Sequence, residues 1–437
     1  MNARRRWQRI RELLGDRDLI YVGPRGEDAL PLLPLGSQEY VFSLIAPAES
    51  GAPETCLEMA TGVRVDLNDY SLDDDWSPPA SQFRAALLAR FSESCAVIPY
   101  SPSRTISRGW LTARDTVLPL GLFYEHQACF DYKPWVESEL GNWGVATIPW
   151  TYVHSLSSSR VTELLGGDSP VVVRWPRSRG GAGIWLIRDR EELAGVAEQS
   201  PGEGLFCVTP YFASAISVNV NACVFPGGSV SIHGSSVQLV GIEICTPRPL
   251  GYAGNDFATI AELPPKALCS LDMLTRTVGA WLSRHGYLGA FGVDALVIED
   301  RVLFVELNPR FQASSAVASR LDDARDRPDQ YSDHIAAFLG LGASDQLTLT
   351  ELVKEQEAVS QVMLYNSGEE PVNLQQRPEL AGGEARLLPA SGVFVEPRGL
   401  LAAILWKGRV TETGGELREE VGAAVGNLRE SFSRAER

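Results

Sequence analysis

Three residues in the second half of the chain have the chemical types and the spacing of a metal site. Asp294 lies in one apolar run, and Glu306 and Asn308 lie two positions apart in the next. Side chains two positions apart in a strand point to the same face, and a hairpin would bring Asp294 opposite them. Two carboxylates and an amide oxygen are hard ligands suited to Mg²⁺ that carries phosphates. The pattern predicts such a site; a surface hairpin with incidental acidic residues is the alternative interpretation.

The neighbours of these acidic residues are apolar, which favours a buried site. Val293 precedes Asp294, and Phe304 and Val305 precede Glu306. Burying a charge in such a sheet is costly unless a cation or another partner compensates for it. A bound cation would supply that compensation.

A second candidate is a polar loop between two β-rich runs. The loop, residues 178–183, has glycine at positions 180, 181 and 183. Glycine lets a backbone bend closely around an anion and point its N–H groups inward. The loop is therefore a candidate phosphate-binding segment, with a plain hairpin that has a glycine-rich tip as the alternative.

The overall composition counts against several classes of protein. The formal charge is −16, from 39 Lys and Arg and 55 Asp and Glu, and such a surface repels nucleic-acid phosphates and anionic lipid. No apolar run approaches the roughly 18 residues that span a bilayer, and the Arg-rich N-terminus lacks the apolar stretch of a secretory signal. Seven scattered cysteines and five dispersed histidines favour reduced thiols over disulfides or a zinc cluster. We expect a cytoplasmic protein with neither nucleic-acid nor membrane partners.

The elements that must position these residues follow from apolar patterning. Residues 1–125 alternate strand and helix patterns, which predicts a parallel α/β domain. Its predicted strands lie at 18–23, 40–47 and 95–103, and its helix lies at 81–91.

The middle and the last parts of the chain show other patterns. Hairpin-like spacing predicts antiparallel strands within residues 205–240, and apolar residues at three- and four-residue steps predict a helix at 266–286. Residues 247–257 are interpreted as a glycine-rich loop. Beyond about residue 345, short strands and a final helix at 415–435 predict a small α+β unit.

The segment FGVDALVIEDRVLFVELNPR, residues 291–310, resembles the metal-binding segment of ATP-grasp enzymes. Its NPR ending is similar to that of biotin carboxylase and its relatives. Upstream, DYK followed by GVATIP resembles the segment with the family's first nucleotide-binding lysine. PVVVR followed by RSRGGAG resembles the second basic position and the mobile glycine-rich loop, and CVTPYF resembles the hinge that contacts adenine. Together the matches cover about residues 126–320 in the order that the family has.

The resemblance implies a three-domain ATP-grasp architecture of α/β and α+β class. An N-terminal α/β domain would cover residues 1–125, and a two-lobed ATP-grasp domain would cover residues 126–345. The small mobile lobe of the second domain would lie at about 155–240, and a small C-terminal α+β cap would cover 346–437.

The resemblance also implies roles for individual residues. The ligands of Mg²⁺ or Mn²⁺ would be Asp294, Glu306 and Asn308. The residues that bind ATP would be Lys133, Arg174, Ser178, Gly180, Gly181, Gly183, Thr209, Tyr211 and Asn219. The catalytic residues would be Lys133, Arg174 and Arg310.

Lys133 and Arg174 would neutralise phosphate charge. Arg310 would stabilise the substrate carboxylate and later the tetrahedral oxyanion, with a structural ion pair as its alternative role. The acceptor pocket would include Arg248, Tyr252, Asn255, Gln312, Ser314 and Ser315, although the first three lie in a segment that is equally well a plain connection.

Several departures from the family pattern bear on the chemistry. Arg174 stands where the family usually has lysine, and arginine keeps the charge but grips phosphate as a fork. Thr209 and Asn219 stand where relatives have acidic residues. The sequence after Arg310 lacks the glutamate and histidine of biotin carboxylases. These changes count against bicarbonate chemistry and leave the magnesium ligands untouched.

The resemblance therefore implies an ATP-dependent carboxylate–amine ligase. Such an enzyme forms an amide or peptide bond through an acyl phosphate and releases ADP and phosphate, and the resemblance suggests the peptide ligases of secondary metabolism. Its substrates would be a small-molecule carboxylate and an amine or peptide. A biotin-carboxylase-like carboxylating enzyme and a catalytically inactive ATP-binding regulatory module stay open as alternatives. The oligomeric state also stays open, with a homodimer as one option.

Overall fold

The computed structural model describes residues 2–36, 40–46, 55–166, 169–178, 180–199, 204–344 and 347–434. Its first elements are α1 (Ala3–Leu14), β1 (Asp18–Arg25), β2 (Val41–Ile45), α2 (Leu57–Thr61), β3 (Val63–Arg64), α3 (Pro78–Arg90), β4 (Cys95–Pro99), α4 (Arg104–Thr112), β5 (Val117–Pro119) and α5 (Tyr124–Gln127). A 3₁₀ helix, Gly26–Leu35, follows β1. The strands form a parallel sheet in the order β2-β1-β4-β5. The predicted parallel α/β unit is confirmed with shifted strand ends, and Pro47 of the strand predicted at 40–47 lies outside the described residues.

A second, small sheet follows. Its elements are α6 (Lys133–Asn142), β6 (Thr151–Val153), α7 (Ser159–Leu165), β7 (Val171–Arg174), β8 (Ile184–Ile187), α8 (Arg190–Gln199) and β9 (Phe206–Pro210). The strands are antiparallel in the order β6-β9-β7-β8. The small lobe was expected at about 155–240, but this small sheet ends at Pro210. The later strands of that range, which begin at Ile216, belong to the largest sheet.

The largest sheet carries the acidic hairpin. It begins with β10 (Ile216–Val224), β11 (Val230–Val240), β12 (Tyr252–Asp256), α9 (Pro265–Arg284), β13 (Gly289–Ile298), β14 (Arg301–Asn308), α10 (Ser315–Asp323) and α11 (Gln330–Phe338). The helix predicted at 266–286 is confirmed as α9. The interpretation of 247–257 as a loop is wrong, because residues 252–256 form β12. Gly254, at φ +131°, lets β12 lie where a Cβ would collide with the carbonyl of Gln361.

The C-terminal part of the chain continues the same sheet. Its elements are α12 (Leu349–Glu355), β15 (Val359–Tyr365), β16 (Val372–Leu374), β17 (Gly383–Arg386), β18 (Phe394–Val395), β19 (Leu400–Lys407), α13 (Glu419–Glu430) and β20 (Phe432–Arg434). The eight-stranded order is β14-β13-β10-β11-β12-β15-β19-β17, and β20-β16-β18-β3 form a further sheet. The final helix is shorter than the predicted 415–435, because Phe432 pairs with Leu374 in the sheet instead of extending the helix.

The two faces of the eight-stranded sheet differ in chemistry. One face buries valines of β10, β11 and β13 against α9 and α12. The opposite face carries polar side chains, and α10 and α11 pack against β11 and β13 on it. No helix among the described residues is long and apolar enough to cross a membrane. The chain is a mixed α/β and α+β protein. The polar face of its large sheet carries the candidate functional residues.

Candidate functional site

The acidic hairpin has the predicted geometry. β13 and β14 are antiparallel and are joined by a tight turn in which Glu299 has a φ of 55°. Asp294 lies opposite Glu306, and Gly292 lies opposite Asn308. The three candidate metal ligands therefore project from the same face of the sheet.

Asp294 is held by three amide groups. Asn219 Nδ2 and Gln238 Nε2 donate to its Oδ1 at 2.6 and 3.1 Å, and Asn308 Nδ2 donates to its Oδ2 at 2.9 Å. Burial and the nearby charge of Glu306 raise the pKa of Asp294 to about 6, although the amide donors act in the opposite direction. The pair of carboxylates is thus a place where a cation would relieve an electrostatic cost.

Lys133 connects the hairpin to the glycine-rich loop. It is the first residue of α6, and its Nζ lies 3.2 Å from Glu306 Oε1 and donates to the carbonyl of Ser178 at 2.9 Å. Burial lowers the pKa of Lys133, and the charge of Glu306 counteracts that shift. The structure therefore brings together a predicted ATP-binding lysine, the predicted loop and a predicted metal ligand.

Arg174, the last residue of β7, links the small sheet to the large one. It forms an ion pair with Glu137, donates to the carbonyl of Val305 at 3.1 Å and lies 3.7 Å from the centre of the Trp150 ring. Burial lowers its pKa. Glu137 also accepts a hydrogen bond from Tyr152 Oη at 2.6 Å. Arg174 is thus anchored beside the hairpin, and its role in nucleotide binding stays a prediction.

The glycine-rich loop lies in the predicted place between β7 and β8. Gly180, Gly181 and Gly183 have φ values of 53°, 82° and 69°, which favour glycine. A Cβ on Gly181 would come within 2.8 Å of Gly251 Cα, so the loop packs closely on the segment before β12. Arg179, within the same loop, lies outside the described residues.

The predicted hinge residues lie at the end of β9 and on β10. Thr209 is buried, and its hydroxyl has no hydrogen-bond partner within the described parts of the chain. The N–H of Tyr211 donates to the carbonyl of Pro170 at 2.8 Å. Asn219 supports Asp294 directly, so the structure places it beside the hairpin. Contacts of these three residues with a nucleotide stay a prediction.

The residues after the hairpin turn back over the same face. Arg310 Nη2 donates to Asn308 Oδ1 at 3.0 Å, and Arg310 Nη1 donates to the carbonyl of Phe311. Ser314 Oγ donates to Asn219 Oδ1 at 2.9 Å. Ser315 Oγ donates to the neighbouring Asn221, and the amide of Gln312 packs over Gly292. Arg310 therefore contacts the candidate ligand Asn308 directly, whereas Ser314 and Ser315 contact the asparagines Asn219 and Asn221 on the same face.

The other predicted substrate residues divide into two groups. Tyr252 Oη donates to Asn255 Oδ1, and Asn255 Nδ2 donates to Ser236 Oγ at 2.8 Å, so both lie on the polar face of β12 and β11. Arg248 instead forms ion pairs with Asp66 and Asp69 at 2.7 and 2.9 Å. The structure thus joins Arg248 to the N-terminal unit.

Three residues of the site escape sequence reasoning. Gln238 donates to Asp294, and Glu137 and Trp150 hold Arg174. Gln238 and Ser236 lie two positions apart in β11, separated by the apolar Val237, and this alternation is a weak signal for a polar face. Glu137 and Trp150 carry no such signal, because only the tertiary fold brings them to Arg174.

Comparison with known proteins adds one curated relative, and no protein-family model matches the chain. The relative is the formate-dependent phosphoribosylglycinamide formyltransferase of Shigella dysenteriae serotype 1 (strain Sd197). It is 26% identical over 246 residues, which are 53% of this chain and 59% of that protein. The match therefore spans a little over half the length of that relative.

Solved structures match nearly the whole chain. The biotin carboxylase domain of Hydrogenobacter thermophilus 2-oxoglutarate carboxylase, a dimer in complex with MgADP, ADP and bicarbonate, has a TM-score of 0.61 at 16% identity and covers 96% of this chain and 90% of its own. Biotin carboxylase of Campylobacter jejuni, in a β-γ-ATP complex, has a TM-score of 0.60 at 15% identity, with 96% and 92% covered. N5-carboxyaminoimidazole synthetase of Staphylococcus aureus, with ADP, has a TM-score of 0.56 at 10% identity, with 95% and 97% covered. The chain therefore has the ATP-grasp fold.

Proposed function

We propose that the chain is an ATP-dependent carboxylate–amine ligase. The observation that carries this proposal is the group formed by Asp294, Glu306 and Lys133 beside the glycine-rich loop, with Lys133 3.2 Å from Glu306. The fold supports it, because two of the solved proteins that share this fold are complexes with ADP or MgADP. The name of the curated relative also supports it, since the formate on which that enzyme depends is itself a carboxylate.

The residues of the hairpin fit Mg²⁺ or Mn²⁺. Among the described residues, no group of three or more His, Cys, Asp or Glu could hold a metal ion, so a site here relies on two carboxylates. Asp294 and Glu306, with the amide oxygen of Asn308, would supply hard oxygen ligands, and nucleotide phosphates would complete the set. The raised pKa of Asp294 marks a carboxylate that would gain from a cation. When bound, the metal would neutralise phosphate charge and orient the phosphates.

The chain's own groups would bind the rest of the nucleotide. Lys133 would exchange the Ser178 carbonyl for a phosphate oxygen, because its Nζ already lies between the loop and Glu306. The loop N–H groups around Gly180 and Gly181 would cradle phosphate oxygens as a backbone nest. Arg174 lies beside β14 and would add positive charge at the phosphates.

The chemical step would be a phosphoryl transfer followed by an acyl transfer. A carboxylate oxygen of the first substrate attacks the γ-phosphorus, the bond to the β–γ bridging oxygen breaks, and ADP leaves. The amine nitrogen then attacks the acyl carbon, the carbon–oxygen bond to phosphate breaks, and phosphate leaves while the nitrogen loses a proton. Arg310 would orient the carboxylate and stabilise the tetrahedral oxyanion, because its guanidinium lies next to Asn308 on the same face.

The test is a screen for ADP release with paired carboxylates and amines, with mass detection of the products. The proposal predicts that ADP release needs both substrates and yields a condensed product 18 Da lighter than the sum of the two, as loss of water requires. ADP release that needs bicarbonate alone would point to a carboxylating enzyme instead. Nucleotide binding without turnover under any pairing would point to a regulatory module and would overturn the proposal.

A further inference from the structure

Arg248 joins two turns that are distant in the sequence. Its Nη2 lies 2.7 Å from Asp66 Oδ2 and 2.9 Å from Asp69 Oδ2. The side chains of Arg248 and Asp66 are only 14% and 11% exposed, so solvent and salt screen their attraction less than that of a surface pair. The ion pairs therefore fasten a turn of the N-terminal unit to the segment that precedes β12.

Each ion-paired residue also fixes the backbone of its own turn. Asp66 Oδ1 accepts a hydrogen bond from the backbone N–H of Asn68 at 3.0 Å. The carbonyl of Arg248 accepts one from the N–H of Gly251 at 2.9 Å. The ion pair between Arg248 and Asp66 thus sets the position of Asn68 relative to Gly251. We call the two turns, residues 66–69 and 248–251, the loop seat.

The glycine-rich loop lies directly against the loop seat. A Cβ on Gly180 would collide with the side-chain amide of Asn68. A Cβ on Gly181 would come within 2.8 Å of Gly251 Cα. Only glycine, which has no Cβ, allows contacts as close as these. The two turns of the loop seat therefore contact two consecutive residues of the loop.

The start of the same loop is held by the candidate site. Lys133 Nζ donates to the carbonyl of Ser178 at 2.9 Å and lies 3.2 Å from Glu306. The proposed function assigns phosphate binding to the N–H groups around Gly180 and Gly181, and a backbone nest binds an anion only when its N–H groups converge on it. The contacts that orient these two glycines therefore affect the affinity for nucleotide.

The loop seat depends on the positive charge of Arg248. Asp66 and Asp69 lie on one turn and repel each other. Burial and the charge of Asp66 raise the pKa of Asp69, whereas the charge of Arg248 lowers it. A second cation, Arg398, is 3.8 Å from Asp69 but 60% exposed, so it compensates less. Without Arg248, the repulsion between the two carboxylates would loosen the turn that carries Asn68.

We propose that Arg248 is a positioning residue for nucleotide binding. It holds the two turns of the loop seat together and thereby orients the N–H groups of the glycine-rich loop toward a phosphate. This inference rests on the proposed function, because that function makes phosphate the ligand of the loop. The contact between the loop and the loop seat can be measured without nucleotide, so the two claims can fail separately.

The first experiment measures how fast trypsin cleaves the full chain after Arg177, at the start of the loop, without nucleotide and with mass detection of the fragments. Cleavage requires the loop to leave the loop seat and enter the protease, so its rate follows the fraction of molecules in which the loop is released. We expect Arg248→Ala and Asn68→Ala to speed this cleavage on the order of tenfold, since each removes a contact that holds the loop.

Two control variants separate positioning from general destabilisation. Arg104→Ala removes ion pairs to Asp73 and Asp74, in the acidic segment just beyond the loop seat, and should leave the cleavage rate unchanged. Arg248→Lys should recover part of the protection that Arg248→Ala loses. A single nitrogen of Arg248, Nη2, makes both ion pairs, and an ammonium group can replace it.

The second experiment measures calorimetric binding of ATP with Mg²⁺ to the same variants. We expect Arg248→Ala and Asn68→Ala to weaken ATP binding on the order of tenfold, Arg248→Lys to weaken it less, and Arg104→Ala to match the parent. Unchanged cleavage after Arg177, or unchanged ATP affinity, in the folded seat variants would overturn the proposal, and Asn68→Ala decides if Arg248→Ala does not fold. ATP binding by the parent without ADP release under any substrate pairing would instead count against the ligase function alone.

Discussion

Replacing Asp294 by asparagine should stabilise the free protein while removing its response to MgATP. The pKa of Asp294 is raised from 3.8 to about 6, mainly by burial. A raised carboxylate pKa means that ionisation disfavours the fold. The free-energy cost of ionising Asp294 in the folded protein is absent below pH 3.8, grows between pH 3.8 and about 6, and is fully present at pH 7.

The size of the effect follows from that shift. About two pKa units correspond to about 3 kcal/mol, but Asp294 is partly exposed, and solvent screening reduces this to about 1–3 kcal/mol. Asp294→Asn also loses the bond from Asn308 Nδ2, since an amide N–H₂ cannot accept it, at a cost of about 1 kcal/mol. The net expectation is a variant about 1 kcal/mol more stable than the parent at pH 7.

Urea unfolding at pH 7, with and without MgATP, checks both halves of the prediction. A ligand at 100 times its Kd adds about 2.7 kcal/mol to the free energy of unfolding, and only the parent should gain this amount. Asp300→Asn, in the exposed turn of the same hairpin, is the matched control. This control should change the free energy of unfolding by less than about 0.5 kcal/mol and should still be stabilised by MgATP. A clearly destabilised Asp294→Asn, or an equal MgATP gain in both proteins, would refute the reasoning.

Three further changes test other parts of the structure. Lys133→Ala should weaken ATP binding about 10- to 100-fold by calorimetry, since a charge-assisted hydrogen bond is lost; unchanged affinity would contradict the phosphate role. Burial lowers the pKa of His233, but its hydrogen bond to Asp322 and the nearby acids raise it above the ordinary value overall. The stabilisation that protonated His233 supplies is therefore complete below pH 6.5 and is lost as pH rises through the raised pKa. The difference in the free energy of urea unfolding between the parent and His233→Asn should shrink from pH 6 to 9. A difference that stays constant over this range would argue against a charged His233. Gly254→Ala should destabilise the fold by more than about 2 kcal/mol, because its Cβ would collide with the backbone of β15. In the control Gly426→Ala, in α13, the added Cβ meets no atom, and the change should be neutral or stabilising. Equal thermal unfolding midpoints for the two variants would contradict this prediction.

Local patterns were enough to predict the acidic hairpin and the glycine-rich loop. The period of two in 293–298 and 301–308 and the tight turn between them fix which side chains share a face. The apolar runs on either side of residues 178–183 likewise predict the two strands between which the glycine-rich loop lies. The short range of these interactions is the reason that Asp294, Glu306 and Asn308 could be placed together from the sequence.

Long-range pairing could not be predicted in the same way. The interpretation of 247–257 as a loop was wrong because β12 forms only by pairing with β11 and β15. A glycine-rich sequence contains no local pattern that predicts such a strand. The end of α13 depends on the pairing of Phe432 with Leu374, which is distant in sequence. Gln238 was missed for the same reason, because its contact with Asp294 exists only once β10 lies between β11 and β13.

The most direct test of the ligase proposal follows oxygen atoms. The full chain would be incubated with ATP, Mg²⁺, a pool of oxygen-18-labelled carboxylates and a pool of amines, and the released phosphate would be analysed by mass. An acyl-phosphate route predicts ADP together with phosphate that carries one oxygen-18 atom from the carboxylate, because the carbon–oxygen bond breaks when the amine attacks. Unlabelled phosphate, or AMP in place of ADP, would contradict the account.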